Sequence, residues 1–339
     1  MPGQSILLKS NLSYWLRQLR KEMELIAPVS RRGEIVFESI DRIHEIALDC
    51  PALIPSPKEF LFPQLEPMLR SAGNRLLDMR DNSRRVIFGV RSCDVSALGL
   101  LDRFFLDDPA DPYYEARRRN TLVISVACNR PDSTCFCASL GTGPYLQAGF
   151  DIQLYDLGDR YLVEAGSGAA ASWIRRFSFL MGRPSKSDLV DLYEVKLSSQ
   201  SMFHRRVSLK GAQRMMQGGE VSEAFWEKVT GRCIECGGCV YCCPVCTCFS
   251  VMDNRDGKAA CRTRLWDTCM FKGFTRMAGG VLPAADRRLR TKRWFEHKVL
   301  YYPETAGAFG CVGCGRCAVT CPGRIDMASV VSRIEKHEK

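Results

Sequence analysis

The sequence predicts two domains: an α/β N-terminal domain with a parallel-sheet element over residues 1–225, and a smaller α-helical C-terminal domain over 226–339 with a long insert at 249–308. In the first part, apolar runs typical of strands alternate with segments of helical spacing. Thirteen of the 18 cysteines lie after residue 230, and the polar segment MMQGGEVSEAF separates the two regions. A length of 339 residues with 46% hydrophobic residues allows two cores.

The first predicted helix lies in SNLSYWLRQLRKEMELI, which begins at residue 10. It carries Leu12, Trp15, Leu16, Leu19 and Met23 at helical spacing. This spacing places them on one face of a helix.

A βαβ unit follows. RRVIFGV and NTLVISVA are short apolar runs typical of buried strands, and DVSALGLLDRFF between them has helical spacing. The order strand, helix, strand predicts that the two runs pair in parallel. Further along, FDIQLYDL and RYLVEAG flank Gly158-Asp159 and predict a hairpin with a two-residue turn. KSDLVDLYEVKL predicts another helix.

Composition limits the cellular setting and the partners. No apolar run approaches the roughly 18 residues of a membrane helix, and the N-terminus lacks the apolar core of a secretory signal. We therefore expect a cytoplasmic protein, in which dense cysteines indicate metal or redox chemistry. The net charge of +10 suits an acidic protein partner as well as nucleic acid. We interpret the basic segment DRRLRTKRWFEHK as a solvated helix face or a docking surface for an acidic subunit, and we expect no nucleic-acid partner.

Two cysteine runs share the spacing Cys-x2-Cys-x2-Cys-x3-Cys-Pro. In two-cluster ferredoxins with this run, three thiolates bind one 4Fe-4S cluster and the fourth cysteine binds the other. The spacing therefore predicts one cluster on Cys233, Cys236, Cys239 and Cys321, and a second cluster on Cys311, Cys314, Cys317 and Cys243. Structural zinc is the alternative for paired CxxC motifs, but zinc does not require the full run twice. We thus predict a dicluster ferredoxin fold for the C-terminal domain.

Four upstream cysteines are candidates for a third 4Fe-4S cluster. Cys93 and Cys128 follow strands whose ends meet at one edge of a parallel sheet, and Cys135 and Cys137 lie in the next loop. The alternative is that Cys93 and Cys128 are small buried hydrophobic residues. For Asp94 we predict a helix N-cap, with a cluster ligand as the alternative.

Cys246, Cys248 and Cys269 form a further group of surplus thiols, which could supply such a cluster instead or jointly. The glycine-rich segments GTGP and AGSGAA do not form a strand–GxGxxG–helix motif, so we expect no bound dinucleotide. We find no catalytic triad or paired carboxylates and assign no catalytic residue.

Beyond these patterns, the sequence resembles the iron–sulfur subunit shared by anaerobic sulfite reductase and sulfhydrogenase, in which it is the beta subunit. Related chains accompany heterodisulfide reductases and their flavin oxidoreductase modules. The resemblance covers most of the chain. In the first domain it rests on PKEFLFPQ, FGVRSCD, DPYYEARR and CFCASLGTGP. In the second it rests on CIECGGCVYCCPVCTCF, RLWDTC, FTRMAGG, HKVLYY and CVGCGRCAVTCP.

The resemblance implies an electron-transfer subunit of a cytoplasmic anaerobic oxidoreductase complex. Such a subunit relays single electrons from or to a flavin/NAD(P)H-binding subunit on one side, with a terminal reductase or hydrogenase subunit on the other. A component of a heterodisulfide reductase-linked flavin oxidoreductase complex is the alternative. A cluster-based sensor that binds nucleic acid is an alternative of another class, but no helix-turn-helix or other reader supports it.

Overall fold

The computed structural model describes residues 4–49, 55–73, 75–256 and 259–336. Within these ranges the strands are β1 (Gln4–Leu8), β2 (Glu24–Arg31), β3 (Glu34–Ser39), β4 (Leu65–Ala72), β5 (Arg75–Asp78), β6 (Arg85–Val90), β7 (Thr121–Val126), β8 (Ile152–Asp156), β9 (Arg160–Ala165), β10 (Met181–Gly182), β11 (Phe249–Asp256) and β12 (Ala259–Trp266). The helices are α1 (Lys9–Arg20), α2 (Ser92–Phe105), α3 (Pro112–Arg119), α4 (Cys137–Leu140), α5 (Gly168–Arg176), α6 (Lys186–Ser201), α7 (Leu209–Gln217), α8 (Glu223–Thr230), α9 (Gly238–Tyr241), α10 (Arg287–Glu296), α11 (Tyr302–Ala306), α12 (Arg316–Thr320) and α13 (Met327–Glu335).

The larger sheet has the strand order β10-β1-β9-β8-β7-β6-β2-β3. Its central strands β2, β6, β7 and β8 pair in parallel. Every residue of β6 and β7 is buried, which explains why both runs are almost entirely apolar. The predicted βαβ unit is confirmed, because α2 leads from β6 to the parallel strand β7, where Ile87 pairs with Val123. Helix α3 lies in the same crossover.

The first predicted helix ends earlier than its apolar spacing suggests. Helix α1 buries Trp15 and Leu19, as predicted, but it ends at Arg20. The helical interpretation of the last residues, ELI, is wrong, because they begin β2. Ile26 is fully buried there between β3 and β6, so pairing within the sheet decides the conformation of this segment.

The predicted hairpin and the later helix are both confirmed. Strands β8 and β9 pair around Gly158-Asp159, and the Leu157 N–H donates to the Arg160 carbonyl at 2.9 Å. Gly158 has a φ of 101°, which glycine adopts without steric cost. Helix α6 covers the predicted helical segment and begins with a capping box between Ser185 and Asp188.

A second sheet joins the insert to the N-terminal region. Its order is β11-β12-β4-β5, with the β11–β12 hairpin contributed by the insert and β4–β5 by the first 225 residues. Strands β12 and β4 are antiparallel, and Thr263 pairs with Pro67. The insert therefore contains strands as well as helices. The predicted domain boundary at residue 225 stays a prediction.

Buried charges connect β12 to β4 and α3. Arg264 is 1% exposed, and its Nε donates to Oε2 of Glu66 at 2.8 Å. Its Nη1 donates to Asp111 at 2.5 Å. Arg117 donates to the other carboxylate oxygen of Glu66, which is fully buried. Removing one member of such a network leaves a buried charge without its compensation.

We expect Arg264→Ala to lower the free energy of unfolding by about 3 kcal/mol or more, because Glu66 would retain only one arginine in a dry site. Arg262→Ala is the matched control, since Arg262 lies on the same strand but pairs with Asp253 at the surface. We expect that change to cost below about 1 kcal/mol. Chemical denaturation of the anaerobic protein, followed by circular dichroism, measures both. Equal losses would contradict the prediction.

The C-terminal core surrounds the cysteine runs. Trp226 of α8, Phe295 of α10 and Val331 of α13 belong to one buried cluster, which also includes Phe136 from the N-terminal region. The two regions thus share a core beside the cysteines. Among the helices of the described ranges, none has the length and apolar character needed to cross a membrane.

Candidate metal centres

Three cysteines of the first run and one of the second line a common cavity. Their thiols are those of Cys233, Cys236, Cys239 and Cys321. Met270, Trp294 and Phe295 provide apolar parts of its wall. The side chain of Cys236 is exposed, so this first cavity reaches the molecular surface.

Three cysteines of the second run and one of the first line another cavity. Their thiols are those of Cys243, Cys311, Cys314 and Cys317. Phe136 and Met327 provide apolar wall, and the cationic side chains of Lys298 and Arg316 also line this second cavity. The second cavity therefore has buried positive charge beside its thiols.

The repeat in the sequence is also a repeat in backbone conformation. Glu235 and Gly313, each two residues after the first cysteine of its run, have φ values of 58° and 62°. Gly237 and Gly315, each directly after the second cysteine, have φ values of 72° and 76°. These left-handed residues turn the chain between successive thiols, so each run curves around its cavity. Glycine adopts this conformation readily, which explains its presence at three of the four positions.

The cavities suit a multi-iron cluster better than one metal ion. In each run a backbone N–H donates to the first cysteine sulfur at 3.4 Å: Glu235 to Cys233, and Gly313 to Cys311. Such donors stabilise thiolate ligands. Among the described residues, no three His, Cys, Asp or Glu side chains converge closely enough to hold one ion. Four thiols around a void match a 4Fe-4S cluster, whereas zinc requires ligands that meet at a point.

The fourth cysteine of each run lines the cavity of the other run. The short helix α9 carries the chain from Cys239 in the first cavity to Cys243 in the second. Helix α12, which contains Cys317 of the second cavity, leads to Cys321 of the first. The sets of thiols that line the cavities are those grouped by the spacing argument. Their binding of iron stays a prediction.

The second cavity's loop packs tightly on the N-terminal region. The Phe136 N–H donates to the Gly313 carbonyl at 2.8 Å, and a Cβ on Gly313 would lie 2.6 Å from the backbone nitrogen of Cys137. Gly307 has a similar φ of 64°, but a Cβ there would meet nothing within 4 Å. Alanine substitutions at these two glycines therefore distinguish two energetic costs. One is the cost of a side chain on a residue with left-handed φ, and the other is the cost of a steric clash.

We expect Gly307→Ala to cost about 1–2 kcal/mol of unfolding free energy through its left-handed φ alone. Gly313→Ala should cost about 1–3 kcal/mol more, because the added methyl must displace backbone atoms. It should also reduce the iron content, since the loop carries Cys311 and Cys314. Denaturation midpoints and iron analysis measure these effects. Identical behaviour of the two variants would contradict the packing argument.

Lys298 places a buried charge beside a predicted ligand. Its side chain is 4% exposed, and Nζ donates to Cys243 Sγ at 3.4 Å and to the Gly310 carbonyl at 2.8 Å. Burial opposes the ammonium form, but the negative charges of Cys243 and Cys246 raise the pKa of Lys298 well above its usual range. A hydrogen bond from Cys246, helped by the charge of Lys298, lowers the pKa of Cys243 despite burial. The pair thus favours a thiolate next to an ammonium group.

The predicted role of Asp94 as a helix N-cap is wrong. Its side chain also does not line the second cavity. Helix α2 begins at Ser92, and Arg91 occupies the N-cap position. The Asp94 carboxylate accepts hydrogen bonds from Ser56 Oγ at 3.1 Å and from Arg316 Nη2 at 2.8 Å. Asp94 and Arg316 are each 1% exposed. The carboxylate therefore compensates the buried guanidinium that lines the second cavity.

Trp294 lies between the two cavities and lines both. It is 5% exposed, and in the described part of the chain its Nε1–H has no hydrogen-bond acceptor. The basic segment DRRLRTKRWFEHK was interpreted as a solvated helix face. This holds for exposed Arg287 but not for Arg290, which is buried. Buried Arg290, Trp294 and Lys298 are spaced four residues apart, so helical spacing was the signal that could have identified this inward face.

The four upstream cysteines lie close to one another and to the second cavity. Cys93 and Cys137 belong to one buried cluster, and the charges of Cys135 and Cys128 act on Cys137. Cys135 Sγ lies 3.6 Å from the Cys314 carbonyl oxygen. Burial raises the pKa of Cys135 to about 12. A third cluster on these four thiols stays a prediction.

The other surplus thiols lie near the open end of the β11–β12 hairpin. Cys246 hydrogen-bonds to Cys243, and Cys248 hydrogen-bonds to Cys269. Lys58, whose Nζ donates to the carbonyls of Cys243 and Cys246 at 2.9 and 3.0 Å, is buried beside them. Nothing in the spacing argument pointed to this lysine.

Comparison with known proteins agrees with this geometry. A family profile described as a 4Fe-4S dicluster domain matches residues 232–325. The chain is 31% identical to the sulfhydrogenase 2 subunit beta of Pyrococcus furiosus over 323 residues, which cover 95% of each chain. The protein therefore belongs to the family of iron–sulfur subunits that includes the sulfhydrogenase beta subunit, and it carries a 4Fe-4S dicluster domain.

Proposed function

We propose that this chain is the electron-transfer subunit of a cytoplasmic anaerobic oxidoreductase complex. It relays single electrons between two partners, a flavin/NAD(P)H-binding subunit on one side and a terminal reductase or hydrogenase subunit on the other. The observation that carries the proposal is the pair of four-thiol cavities that share Trp294 as a common wall. The name of the Pyrococcus relative, a sulfhydrogenase subunit, supports a hydrogenase-type partner.

In this proposal, each set of four thiolates binds one 4Fe-4S cluster, which accepts and releases one electron at a time. The chain holds the thiolates, excludes water and sets the local charge. Trp294 and Phe295 give the first cavity an apolar wall, and Phe136 and Met327 do so for the second. Exposed Cys236 brings the first cavity to the surface, where a partner protein can approach.

The charges around the second cavity favour the reduced state there. An added electron makes a site more negative, and a buried ammonium group stabilises that charge in a medium of low dielectric constant. Lys298 supplies this charge directly. Arg316 contributes less, because Asp94 neutralises most of its charge. Among the described residues, the side chains that line the two cavities include no carboxylate and no histidine, which supports electron relay without proton transfer at these sites.

Anaerobic isolation of the native complex through this subunit tests the proposal. We expect about eight irons and eight sulfides per chain, with one-electron signals in electron paramagnetic resonance. Mass spectrometry should identify a flavin subunit together with a nickel–iron or sirohaem subunit in the same preparation. Heterodisulfide reductase subunits would change the assigned complex. A chain without iron, or one that converts a substrate alone, would overturn the proposal.

A further inference from the structure

The two cysteine runs place apolar residues in equivalent positions with opposite exposure. Ile234 directly follows the first cysteine of the first run, and Val312 directly follows the first cysteine of the second. Val312 is 2% exposed, whereas Ile234 is 66% exposed. One exposed apolar residue is common on a protein surface, so the surroundings of Ile234 decide whether it marks an interface.

The N-terminal region covers the second run. The Thr142 hydroxyl donates to the Val312 carbonyl at 2.8 Å, and Val312 packs in a buried cluster with Ala97 of α2. A Cβ on Gly315 would lie 2.6 Å from the Thr134 carbonyl oxygen, so the two backbones are in contact. The loop after β7 and the residues around α4 therefore lie against this run.

In the described ranges, the corresponding part of the first run stays open to solvent. Ile234 and Cys236 are exposed, and both line the first cavity. Glu235 occupies the position that Gly313 has in the second run, and its side chain is 37% exposed although it pairs with Arg290. The N-terminal region thus covers one of two equivalent surfaces and leaves the other open.

Two aromatic side chains extend the apolar surface beside Cys236. A Cβ on Gly237, the next residue, would lie 3.2 Å from the Tyr241 ring and 3.4 Å from the Phe271 ring. The two ring centroids are 6.4 Å apart, and both side chains are exposed. We call Ile234, Cys236, Tyr241 and Phe271 together the open face. Aromatic and aliphatic side chains grouped at the surface in this way are typical of a protein contact.

Cationic side chains border the open face. Arg232 lines the first cavity, and Lys272 directly follows Phe271. Arg276 lies in the same turn, where its N–H donates to the Gly273 carbonyl at 3.0 Å. Arg232, Lys272 and Arg276 are exposed, and none of the three forms an ion pair with a carboxylate of the described residues. Their charges are therefore available to a partner.

The acidic residues of the adjoining segments are already paired. Glu235 pairs with Arg290, and Asp286 accepts a hydrogen bond from Arg288 at 3.2 Å. The border of the open face therefore carries excess positive charge, which attracts and orients a partner of opposite sign. The complementary surface is rich in Asp and Glu, and its cofactor must exchange one electron at a time with a 4Fe-4S cluster.

We propose that the open face is the docking surface for an acidic protein that carries a one-electron cofactor. The proposal rests on the proposed function and names the first cavity as the site of electron exchange with that partner. One electron passes between the partner's cofactor and the first cluster by way of exposed Cys236, so that one is oxidised as the other is reduced. No bond forms or breaks, and no proton is needed.

Cross-linking of the native complex tests the docking surface. The complex is isolated anaerobically through this subunit and treated with a carbodiimide, which joins a lysine amine to a carboxylate in contact with it. Peptide mass mapping should find Lys272 joined to an Asp or Glu of a subunit that contains flavin or an iron–sulfur cluster. Lys186, an exposed lysine at the start of α6, is the control and should form no cross-link to that subunit.

A double variant with Lys272→Glu and Arg276→Glu measures the contribution of charge. We expect it to keep about eight irons per chain but to retain at least about tenfold less of the cross-linked subunit, because like charges would then face each other. A double variant with Lys186→Glu and Lys210→Glu is the matched control. It changes the net charge equally at exposed positions of α6 and α7 and should retain the subunit fully.

Three outcomes would overturn the docking surface. The first is a Lys272 that stays unlinked and is as reactive in the complex as in the isolated chain. The second is equal retention of the subunit by the two double variants. The third is a cross-link from Lys272 to a second copy of this chain, which would make the open face a homodimer contact. In each case the complex and its iron remain, so the proposed function stands, whereas a chain that isolates without any partner would refute both.

Discussion

Cys321→Ser is expected to remove the cluster of the first cavity, although Cys321 belongs to the second cysteine run. Its thiol completes the set formed by Cys233, Cys236 and Cys239. Serine replaces a thiolate by a poor ligand for iron, so the iron content should fall from about eight to about four per chain. Electron paramagnetic resonance of the reduced protein should lose the same signal in Cys321→Ser as in Cys236→Ser.

The reciprocal pair of variants makes this test specific. Cys243→Ser should lose the same signal as Cys314→Ser, because both thiols line the second cavity. Cys261→Ser should retain both signals, which controls for a general effect of removing a thiol. If Cys321→Ser instead matched Cys314→Ser, each run would bind its own cluster and the crossed arrangement would be wrong.

Lys298→Gln is expected to lower the reduction potential of the second cluster by roughly 100–200 mV. A unit charge acting over about 5 Å at an effective dielectric constant of about 20 contributes about 3 kcal/mol, and one tenfold change in a one-electron equilibrium corresponds to about 59 mV. The sign follows from charge: reduction adds a negative charge, so removal of a buried positive charge disfavours the reduced form. Redox titration followed by electron paramagnetic resonance measures the shift.

Lys292→Gln is the matched control on the same stretch of chain. Lys292 is partly exposed and pairs with Glu223 at the surface, so solvent screening should limit its effect to below about 30 mV. The first cluster should change less than the second in Lys298→Gln, because Lys298 lines only the second cavity. An unchanged or higher potential of the second cluster would show that Lys298 does not stabilise its reduced state.

Local patterns predicted the elements whose conformation depends on near neighbours. The βαβ unit, the hairpin at Gly158-Asp159 and helix α6 follow from apolar spacing and turn chemistry over a few residues. The end of α1 did not, because pairing of Ile26 within the sheet outweighs the helical spacing of the same segment. Asp94 was misassigned for a similar reason: its partner is Arg316, 222 residues away in the sequence.

The repeated spacing alone predicts which thiols line each cavity, since it sets how far each run can bend and where its fourth thiol lies. Only the tertiary structure placed Lys298 and Trp294 in the cavity walls, and Lys58 and Asp94 beside residues that carry or adjoin the thiols. Lys58, for example, reaches the Cys243 carbonyl across 185 residues. Spacing carries information about neighbours along the chain, whereas the burial and pairing of these charges depend on contacts between distant segments. The thiol sets were therefore readable from the sequence, and the electrostatic environment that tunes them was decided by the fold.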